Sequence, residues 1–487
     1  ITALNSNSEK TEGEILLEKL IAQKPNTQLR ITLARHYIKT GKQVLAIAQL
    51  EALLKEQPGN LEATTLYATA QLKNDEQKLA EKSIVNLISN QGDNVKALNL
   101  AAMFYQKIKK PIKAKRYYQQ ALKLAPQDSS TLSNLARLAV SEKKYALAEK
   151  YFKQVIDADP TLPAGYKGLT STYEMQNKGE AAIAVLNKLY AKYRAQTSTP
   201  AAVLAEYQLR KGDLDKAASY LTAKNTAVDS SDYTRSIVTS VHYAKYKKAA
   251  SNDEWDSARE SLMEAITLTP NNERLISDLI HLEIVSQRYP EAEQLVTQAS
   301  QDFPGSAMPI LAQSSLLKSQ GQIKAAQTLL WDSWQASQYP AVAYALTQEL
   351  KPASSKRVEV LEQWLAIQPS NTQALLMLAT DKQAAGEASA ATEYYRRIIK
   401  HSPDNLIALN NLAWLMFEAG DKEALSLSAQ AYKLAPKNAA VLDTYGWINS
   451  QIGDKQLGIE LLKQALALAP NDKTIAEHLN KATSALN

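Results

Sequence analysis

Apolar residues recur along this chain at intervals of three, four and seven positions, the spacing that keeps side chains on one face of a helix. Residues 95–128 contain two such runs in succession. The apolar positions of the two runs are Leu98, Ala101, Ala102 and Tyr105, then Ala114, Tyr118, Ala121 and Leu124. The pattern therefore predicts two amphipathic helices, one after the other, each with one face turned towards a shared core.

Prolines divide the chain into units of constant length. The spacing from Pro126 to Pro160 is repeated from Pro270 to Pro304, from Pro369 to Pro403, and from Pro436 to Pro470. We call this spacing the repeat length. Most of these prolines are followed by Gly, Asn, Asp or Gln. Because proline stops a helix and a polar residue can cap the next one, each proline marks the boundary between two helix pairs.

Small residues recur in phase with the prolines. At one position of the first helix the chain has Ala34, Ala68, Ala102, Ala136, Ala205, Ala379, Ala413 and Gly446. At one position of the second helix it has Ala46, Ala80, Ala114, Ala148, Ala182, Ala217, Ala258, Ala292, Ala326 and Ala391. Six glycines fall at the turn between the helices, where left-handed backbone is often required: Gly41, Gly212, Gly321, Gly386, Gly420 and Gly453. The small residues predict that the paired helices approach each other closely.

These features resemble the tetratricopeptide repeat (TPR) along almost the whole chain. The best matching segments are 95–128, 129–162, 273–306, 372–405 and 439–472. The resemblance implies an all-α fold, a right-handed α-α superhelix of about thirteen helix-turn-helix repeats. A polar-backed capping helix is expected at the C-terminal end, because the last repeat has no neighbour to cover it.

Breaks in the period predict how the chain is divided. Extra residues at 225–238 indicate an insertion, and Pro340 and Pro352 indicate a distorted repeat. The predicted segments are an N-terminal helix on the first repeat (1–26), an N-terminal array (27–231), a middle array after the insertion (232–337), an irregular repeat (338–371), a C-terminal array (372–472) and the capping helix (473–487).

Composition narrows the function to binding. The chain has no cysteine, which excludes disulfides and thiolate metal sites, and its five histidines lack metal-ligand spacing. No phosphate-binding loop or nucleophile motif occurs. The net charge of +6 over 487 residues gives little support to a nucleic-acid role. We therefore expect a protein that is not an enzyme and that needs no cofactor and no metal.

One basic concentration, residues 107–123, leaves two interpretations open. Lysines and one arginine make up much of it, including Lys109, Lys110, Lys113 and Arg116. It is either a solvated helix face or a surface for an anionic partner, such as an acidic polymer or a lipid headgroup.

The resemblance also indicates which residues face the partner. In TPR proteins the first helix of each repeat lines a concave groove, and its positions out of phase with the core select the ligand. In the N-terminal repeats these positions hold Arg35, Asn99, Met103, Arg137 and Lys167, and in the eighth repeat His281. In the last two repeats they hold Asn410, Trp414, Phe417, Asp443 and Trp447.

The two tryptophans of this set, Trp414 and Trp447, occupy the same register in successive repeats. Both directly follow the small residue of the first helix. One interpretation is an aromatic platform for a peptide or a sugar, since indole offers a large contact area with a polar handle. The other is that the rings fill the seam between the last repeats.

A finer resemblance covers the segment from Asn411 to the motif that contains Trp447. This segment is similar to the last repeats of bacterial envelope TPR lipoproteins, including exosortase-associated (PEP-CTERM system) proteins thought to serve exopolysaccharide production. The resemblance implies a periplasmic protein whose signal or lipid anchor would precede the sequence shown. Membrane contact is then expected only through that anchor, and binding to nucleic acid is not expected.

The expected function is a non-catalytic scaffold that binds other proteins or peptides in its groove. The expected setting is cell-envelope or exopolysaccharide assembly and export. Two alternatives stay open. The chain is a module that binds a polysaccharide or a lipid-linked precursor directly, or it is a generic cytoplasmic adaptor. A protein ligand would depend on residues spread over many repeats, whereas a glycan would depend mostly on Trp414 and Trp447.

Overall fold

The computed structural model describes residues 12–24, 26–222 and 231–484. In these residues the chain forms 28 α-helices and no β-strand. The helices fall into two compact units, residues 1–269 and residues 270–487.

The N-terminal unit consists of a lone helix, α1 (Glu12–Gln23), followed by seven helix pairs. The pairs are α2 (Thr27–Lys39) with α3 (Gln43–Glu56), α4 (Leu61–Lys73) with α5 (Gln77–Gln91), α6 (Val95–Lys107) with α7 (Pro111–Leu124), α8 (Ser129–Ser141) with α9 (Tyr145–Ala158), α10 (Pro163–Glu174) with α11 (Gly179–Tyr193), α12 (Thr199–Arg210) with α13 (Leu214–Tyr220), and α14 (Asp232–Ser251) with α15 (Trp255–Leu268). We call the members of each pair its first and second helix.

The C-terminal unit consists of six helix pairs and a final helix. The pairs are α16 (Glu273–Val285) with α17 (Tyr289–Asp302), α18 (Met308–Ser319) with α19 (Ile323–Ser337), α20 (Pro340–Glu349) with α21 (Ser355–Ile367), α22 (Thr372–Ala384) with α23 (Ala388–His401), α24 (Leu406–Glu418) with α25 (Glu423–Leu434), and α26 (Ala439–Ile452) with α27 (Lys455–Leu468). The final helix, α28 (Lys473–Ser484), packs on the last pair through buried Ile475 and Ala482.

The described residues therefore contain thirteen helix pairs and a C-terminal capping helix. This confirms the predicted fold class, an all-α solenoid of the α-α superhelix class. The predicted division of the chain into arrays, an irregular repeat and terminal helices is a finer statement, and it stays a prediction.

Polar side chains start the first helices where the sequence predicts caps. The caps of four successive pairs, each one repeat length after the last, are Asn26, Asn60, Asn94 and Asp128. Each of these side chains accepts a hydrogen bond from a backbone N–H in the first turn of its helix. Such a cap stabilises a helix by about 1 kcal/mol, because it satisfies a donor that has no partner inside the helix.

The small residues lie where paired helices meet. Every alanine of the two predicted sets is buried, and none is more than 1% exposed. Large aromatic side chains fill the space beside them, and Tyr105, Tyr118, Tyr166 and Tyr395 are fully buried. One close approach of two backbones is between α26 and α27. A Cβ atom on Gly446 would lie 3.0 Å from the carbonyl oxygen of Gly458, and one on Gly458 would lie 2.5 Å from the backbone nitrogen of Ser450.

The turn inside most pairs contains one residue in the left-handed region. Five of the six predicted glycines have φ between 73° and 81°: Gly41, Gly212, Gly321, Gly386 and Gly420. In six other pairs the same place is held by Asp75, Lys109, Lys143, Asn177, Asp253 and Gln287, with φ between 57° and 61°. The expectation is wrong for Gly453, whose φ is −125°. At this position glycine avoids a steric clash instead, because a Cβ atom there would lie 2.8 Å from the Asn449 Oδ1.

Three pairs depart from the regular length. In one of them the second helix, α13, has only 7 residues. Helix α14 has 20 residues and starts at Asp232, with Ser231 as its cap, although the repeat spacing predicts a start near residue 239. Residues 232–238 of the predicted insertion are therefore helical, whereas its residues 225–230 lie outside the described residues. Helix α20 has only 10 residues, because Pro340 begins it and the chain turns before Pro352.

Candidate partner-binding groove

The first helices of the N-terminal unit line a groove of about 740 Å³. Residues of α2, α4, α6 and α8 form its walls, and the start of α10 closes one end. Four residues that the sequence places on this face line the groove together, namely Arg35, Asn99, Met103 and Arg137. A volume of this size is typical of sites that enclose a small molecule or a few side chains of a partner.

Apolar side chains contribute much of the groove surface. Leu61, Leu66, Leu100 and Met103 lie along it, and Met103 is half exposed. Together these residues offer a surface on which apolar side chains of a partner can be removed from water, which is favourable in proportion to the area covered.

Asn99 places an unpaired acceptor in the groove wall. The residue is only 9% exposed, and its Nδ2 donates a hydrogen bond to the Thr131 Oγ1 at 2.7 Å. Its Oδ1 is buried and has no hydrogen-bond partner among the described residues. Because a buried acceptor without a partner costs about 1–3 kcal/mol, a donor supplied by a bound molecule would be favourable at this atom.

Ion pairs link neighbouring first helices at both ends of this region. Arg35 of α2 pairs with Glu62 of α4. The Lys167 Nζ of α10 lies 2.9 Å from the Glu206 Oε1 of α12. Lys167 therefore lies beyond the main groove, in an adjoining recess of about 560 Å³ that it shares with Arg137.

Two cations between these ends are not engaged in ion pairs. Within the described residues, Lys96 of α6 and Arg137 of α8 have no carboxylate within ion-pair distance. Both side chains are exposed at the groove. Asp128 also faces the groove, but its Oδ2 accepts the backbone N–H of Thr131 at 2.7 Å as a helix cap. The middle of the groove therefore favours a partner that carries negative charge.

The C-terminal unit brings the predicted aromatic residues into one cluster, with an unpredicted histidine among them. His478 of the capping helix stacks on both indoles, with ring centroids 5.7 Å from Trp414 and 4.5 Å from Trp447. Its Nδ1 lies 2.8 Å and 3.0 Å from the two carboxylate oxygens of Asp443. Phe417 is also in the cluster, 6.0 Å from the ring of Trp414.

Many groups of this cluster already contact one another. Burial raises the pKa of Asp443 above its ordinary value, and the hydrogen bond with His478 offsets part of that rise. Asn410 lies one turn before Trp414, and its buried Oδ1 has no hydrogen-bond partner among the described residues. The sequence predicts Trp414, Trp447 and Asp443 as a surface for a ligand. The structure places His478 against all three.

The spacing of the repeats is the feature of the sequence that could have predicted the position of His478. It follows Asp443 by 35 positions, one more than the repeat length, so a side chain in the capping helix takes the place of the next repeat. Metal-ligand spacing among the histidines gives no such indication, because the partners of His478 are an aspartate and two indoles.

Comparison with known families identifies the repeats. Two family profiles described as tetratricopeptide repeat match the chain, one at residues 110–163 and 376–439, the other at residues 439–472. The chain therefore contains tetratricopeptide repeats in both units.

Several solved structures are similar to this chain at low identity. The structure of Naa15/Naa10 bound to HypK-THB has 16% identity, covers 89% of this chain and 67% of its own, and gives a TM-score of 0.34. PilF of Pseudomonas aeruginosa has 21% identity, covers 46% of this chain and 98% of its own, with a TM-score of 0.29. The hetero-tetramer Cut9-Hcn1 of the APC/C has 13% identity, covers 96% of this chain and 99% of its own, with a TM-score of 0.33. No curated protein matches the chain.

Proposed function

We propose that this chain is a scaffold that holds an extended segment of a partner protein in the groove of its N-terminal unit. The observation that carries the proposal is the convergence of an unpaired acceptor, two unpaired cations and an apolar surface in one groove. Its members come from four successive helix pairs, so the groove exists only because the repeats stack.

The chemistry of the groove specifies the segment. The Asn99 Oδ1 would accept a main-chain N–H, which any extended polypeptide supplies. Lys96 and Arg137 would attract carboxylate side chains, and Arg137 can bind one through two parallel hydrogen bonds. Met103 and the leucines would cover large apolar side chains. The expected ligand is therefore an acidic segment that also contains apolar residues.

Selection from a random peptide library on the full-length protein tests this proposal. We expect enrichment of peptides that combine Asp or Glu with Leu, Ile, Met or an aromatic residue. Arg137→Glu should weaken a selected peptide at least ten-fold, since it removes an attraction and adds a repulsion. Asn99→Ala should weaken it about five- to ten-fold.

The matched control is Lys150→Glu, which makes the same change of charge on the exposed face of α9. It should leave peptide affinity within about two-fold, because Lys150 lies on a second helix and does not line the groove. Equal losses in Arg137→Glu and Lys150→Glu would contradict the proposal, as would a library that yields no binding peptides.

We infer the setting of this scaffold from the finer resemblance of the last repeats. The proposal is a periplasmic protein, anchored or free, that serves assembly or export of an exopolysaccharide. The absence of cysteine supports it, because such a chain has no thiols to mispair in an oxidising compartment. Crosslinking, affinity capture from the native cell envelope and mass spectrometry test it. Subunits of polysaccharide synthesis or export would support it, whereas cytosolic regulators alone would leave a cytoplasmic adaptor.

Direct binding of a polysaccharide or a lipid-linked precursor is the second candidate. It would rest on Trp414 and Trp447, which remain partly exposed. The support for it is weaker than for the peptide groove, because His478 and Asp443 already contact this cluster. Loss of ligand binding in Trp414→Ala with Trp447→Ala, but not in Arg137→Glu, would favour this candidate.

A further inference from the structure

The turns inside the first four helix pairs lie along one edge of the N-terminal unit. These turns are residues 39–45, 73–79, 107–113 and 141–147, each one repeat length after the last, and we call them the lysine edge. Their common location follows from the stacking of the first helices. The Lys73 Nζ donates to the carbonyl oxygen of Ile38 at 3.2 Å, which joins the C-terminal ends of α4 and α2.

The lysine edge has a strong positive balance. Its four turns contain ten lysines and three carboxylates. The turns at the opposite ends of the same helices are residues 56–62, 90–96, 124–130 and 158–164, and we call them the acidic edge. They contain five carboxylates and a single lysine, Lys96. The two edges of the same four repeats therefore carry opposite charge.

Most lysines of this edge are directed to solvent. Within the described residues, Lys78, Lys107, Lys109 and Lys143 are exposed and have no carboxylate within ion-pair distance. Lys110 and Lys144 do pair, with Glu81 and Glu142. Lys109 and Lys143 occupy left-handed turn positions where glycine stands in the first pair, although this backbone costs a lysine about 1 kcal/mol.

Large apolar side chains project among these lysines. Ile112 is 86% exposed and lies between Lys110 and Lys113 in the chain. Val44 is 66% exposed and Leu79 is 50% exposed, and both stand near the start of a second helix, as Ile112 does. Exposed apolar side chains within a cationic surface are typical of proteins that lie on a membrane interface.

We propose that the lysine edge docks on the surface of an anionic lipid membrane. The lysines would contact lipid phosphates, and Ile112, Val44 and Leu79 would enter the boundary between headgroups and acyl chains. A soluble polyanion would use the lysines but would gain nothing from these apolar side chains. The combination therefore favours a lipid surface over an acidic polymer. No helix among the described residues is long and apolar enough to cross a bilayer.

The opposite charge of the acidic edge fixes the orientation. An anionic surface attracts the lysine edge and repels the acidic edge, so the C-terminal ends of α2, α4, α6 and α8 face the lipid. The groove lies along the sides of these helices and stays open to a partner. The membrane contact does not depend on the groove. An experiment can therefore contradict the membrane proposal and leave the peptide-groove proposal intact, or the reverse.

Flotation of the full-length protein with lipid vesicles tests the inference. The vesicles contain phosphatidylcholine alone or with about 30% phosphatidylglycerol, whose negative charge attracts basic residues. We expect binding to the anionic vesicles only, and less of it as salt rises. The triple variant Lys78→Gln, Lys107→Gln, Lys109→Gln should lose affinity by a factor on the order of one hundred, or about five-fold per lysine.

The matched control removes three exposed lysines from second helices, as Lys123→Gln, Lys150→Gln, Lys188→Gln. It changes the net charge equally and should keep at least a third of the affinity. Circular dichroism melting curves show whether each variant is folded. Equal losses in both triple variants, or equal binding of the unmodified protein to neutral vesicles, would overturn the inference.

Ile112→Ser distinguishes a membrane from a soluble polyanion. On anionic vesicles this change should weaken binding about ten-fold, because an isoleucine side chain no longer leaves water. On dextran sulfate, a polyanion without an apolar layer, it should have no effect. Binding to dextran sulfate without binding to anionic vesicles would replace the lipid surface by an acidic polymer as the partner of this edge.

Discussion

Single residues decide what the C-terminal cluster can do. His478 stacks against two indole rings and has a carboxylate at its Nδ1, so three groups of two helix pairs converge on one side chain of the capping helix. Aromatic contacts of this kind contribute about 0.5–1.5 kcal/mol each. The contacts indicate that His478 fastens the capping helix to the last repeats.

His478→Ala should therefore destabilise the C-terminal unit by about 2 kcal/mol, because the change removes two ring contacts and leaves the buried Asp443 carboxylate without its partner. The measurement is urea unfolding followed by tryptophan fluorescence, to which Trp414 and Trp447 contribute two of the six tryptophans of the chain. The control is Asn480→Ala on the exposed side of the same helix, which should change stability by less than about 0.5 kcal/mol.

A different result would favour the interpretation that the two tryptophans bind a ligand. If His478→Ala leaves the urea midpoint unchanged and the pair Trp414→Ala, Trp447→Ala abolishes binding of a partner, the indoles act on a ligand and not on the capping helix.

The limits of sequence prediction are also clear at this scale. Helical register alone places Arg35, Asn99 and Arg137 on one face, and the structure brings them to one groove, because register within a helix is fixed by the helical turn. The ion pair of Lys167 with Glu206 has no such signal in the sequence. It joins residues of different repeats, and such contacts depend on how one pair is rotated against the next.

At the scale of helices, α26 and α27 show what the small residues are for. Gly446 and Gly458 face each other there, and a Cβ atom on either glycine would lie 3.0 Å or less from backbone atoms of the opposite helix. Backbone atoms cannot move aside as a flexible side chain can. The two helices can therefore keep their separation only with glycine at both positions.

Gly458→Ala should destabilise the last helix pair by about 1–3 kcal/mol, although alanine favours a helix more than glycine does. The added Cβ atom would lie 2.5 Å from the Ser450 nitrogen and 2.7 Å from the Gly446 carbonyl oxygen. The melting temperature of the C-terminal unit measures the effect. Gly305→Ala is the control, because no atom lies within 4 Å of its added Cβ atom. A melting temperature for Gly458→Ala at or above that of Gly305→Ala would show that the helices can separate without cost.

The start of a helix can be predicted from the sequence where its capping residue recurs once per repeat length, and not elsewhere. Asn60, Asn94 and Asp128 recur once per repeat length, so their helices begin where the sequence indicates. Helix α14 begins earlier than the period predicts because Ser231 caps it, and the sequence indicates this cap only through the polar run 229–232, outside the repeat spacing. Left-handed turns are expected from glycine, yet Lys109 and Gln287 adopt the same backbone.

At the scale of each unit, a helix pair packs mainly on the pairs before and after it. The proximity of successive pairs accounts for the buried clusters, which follow the sequence order within each unit. In such an array stability is approximately a sum of repeat and interface terms, so damage to one pair stays local.

Hydrogen–deuterium exchange on Gly458→Ala tests this locality. Exchange should accelerate in α24 to α28, which contain or adjoin the altered pair, and stay unchanged in α4 to α9 of the other unit. The unmodified protein provides the baseline, and Gly305→Ala provides a folded variant of the same unit. A uniform acceleration over both units would mean that the chain unfolds as one cooperative body.

The opposite charges of the lysine edge and the acidic edge have a consequence that the net charge of +6 conceals. Separated charge of this kind is an electric dipole, directed along the first helices of the N-terminal unit, and it exerts a torque on this unit before any contact is made. Two copies also present complementary ends to each other. If two copies associated through these edges, the pairing would be head-to-tail without closing symmetry, and physiological salt would weaken it by screening beyond about 8 Å.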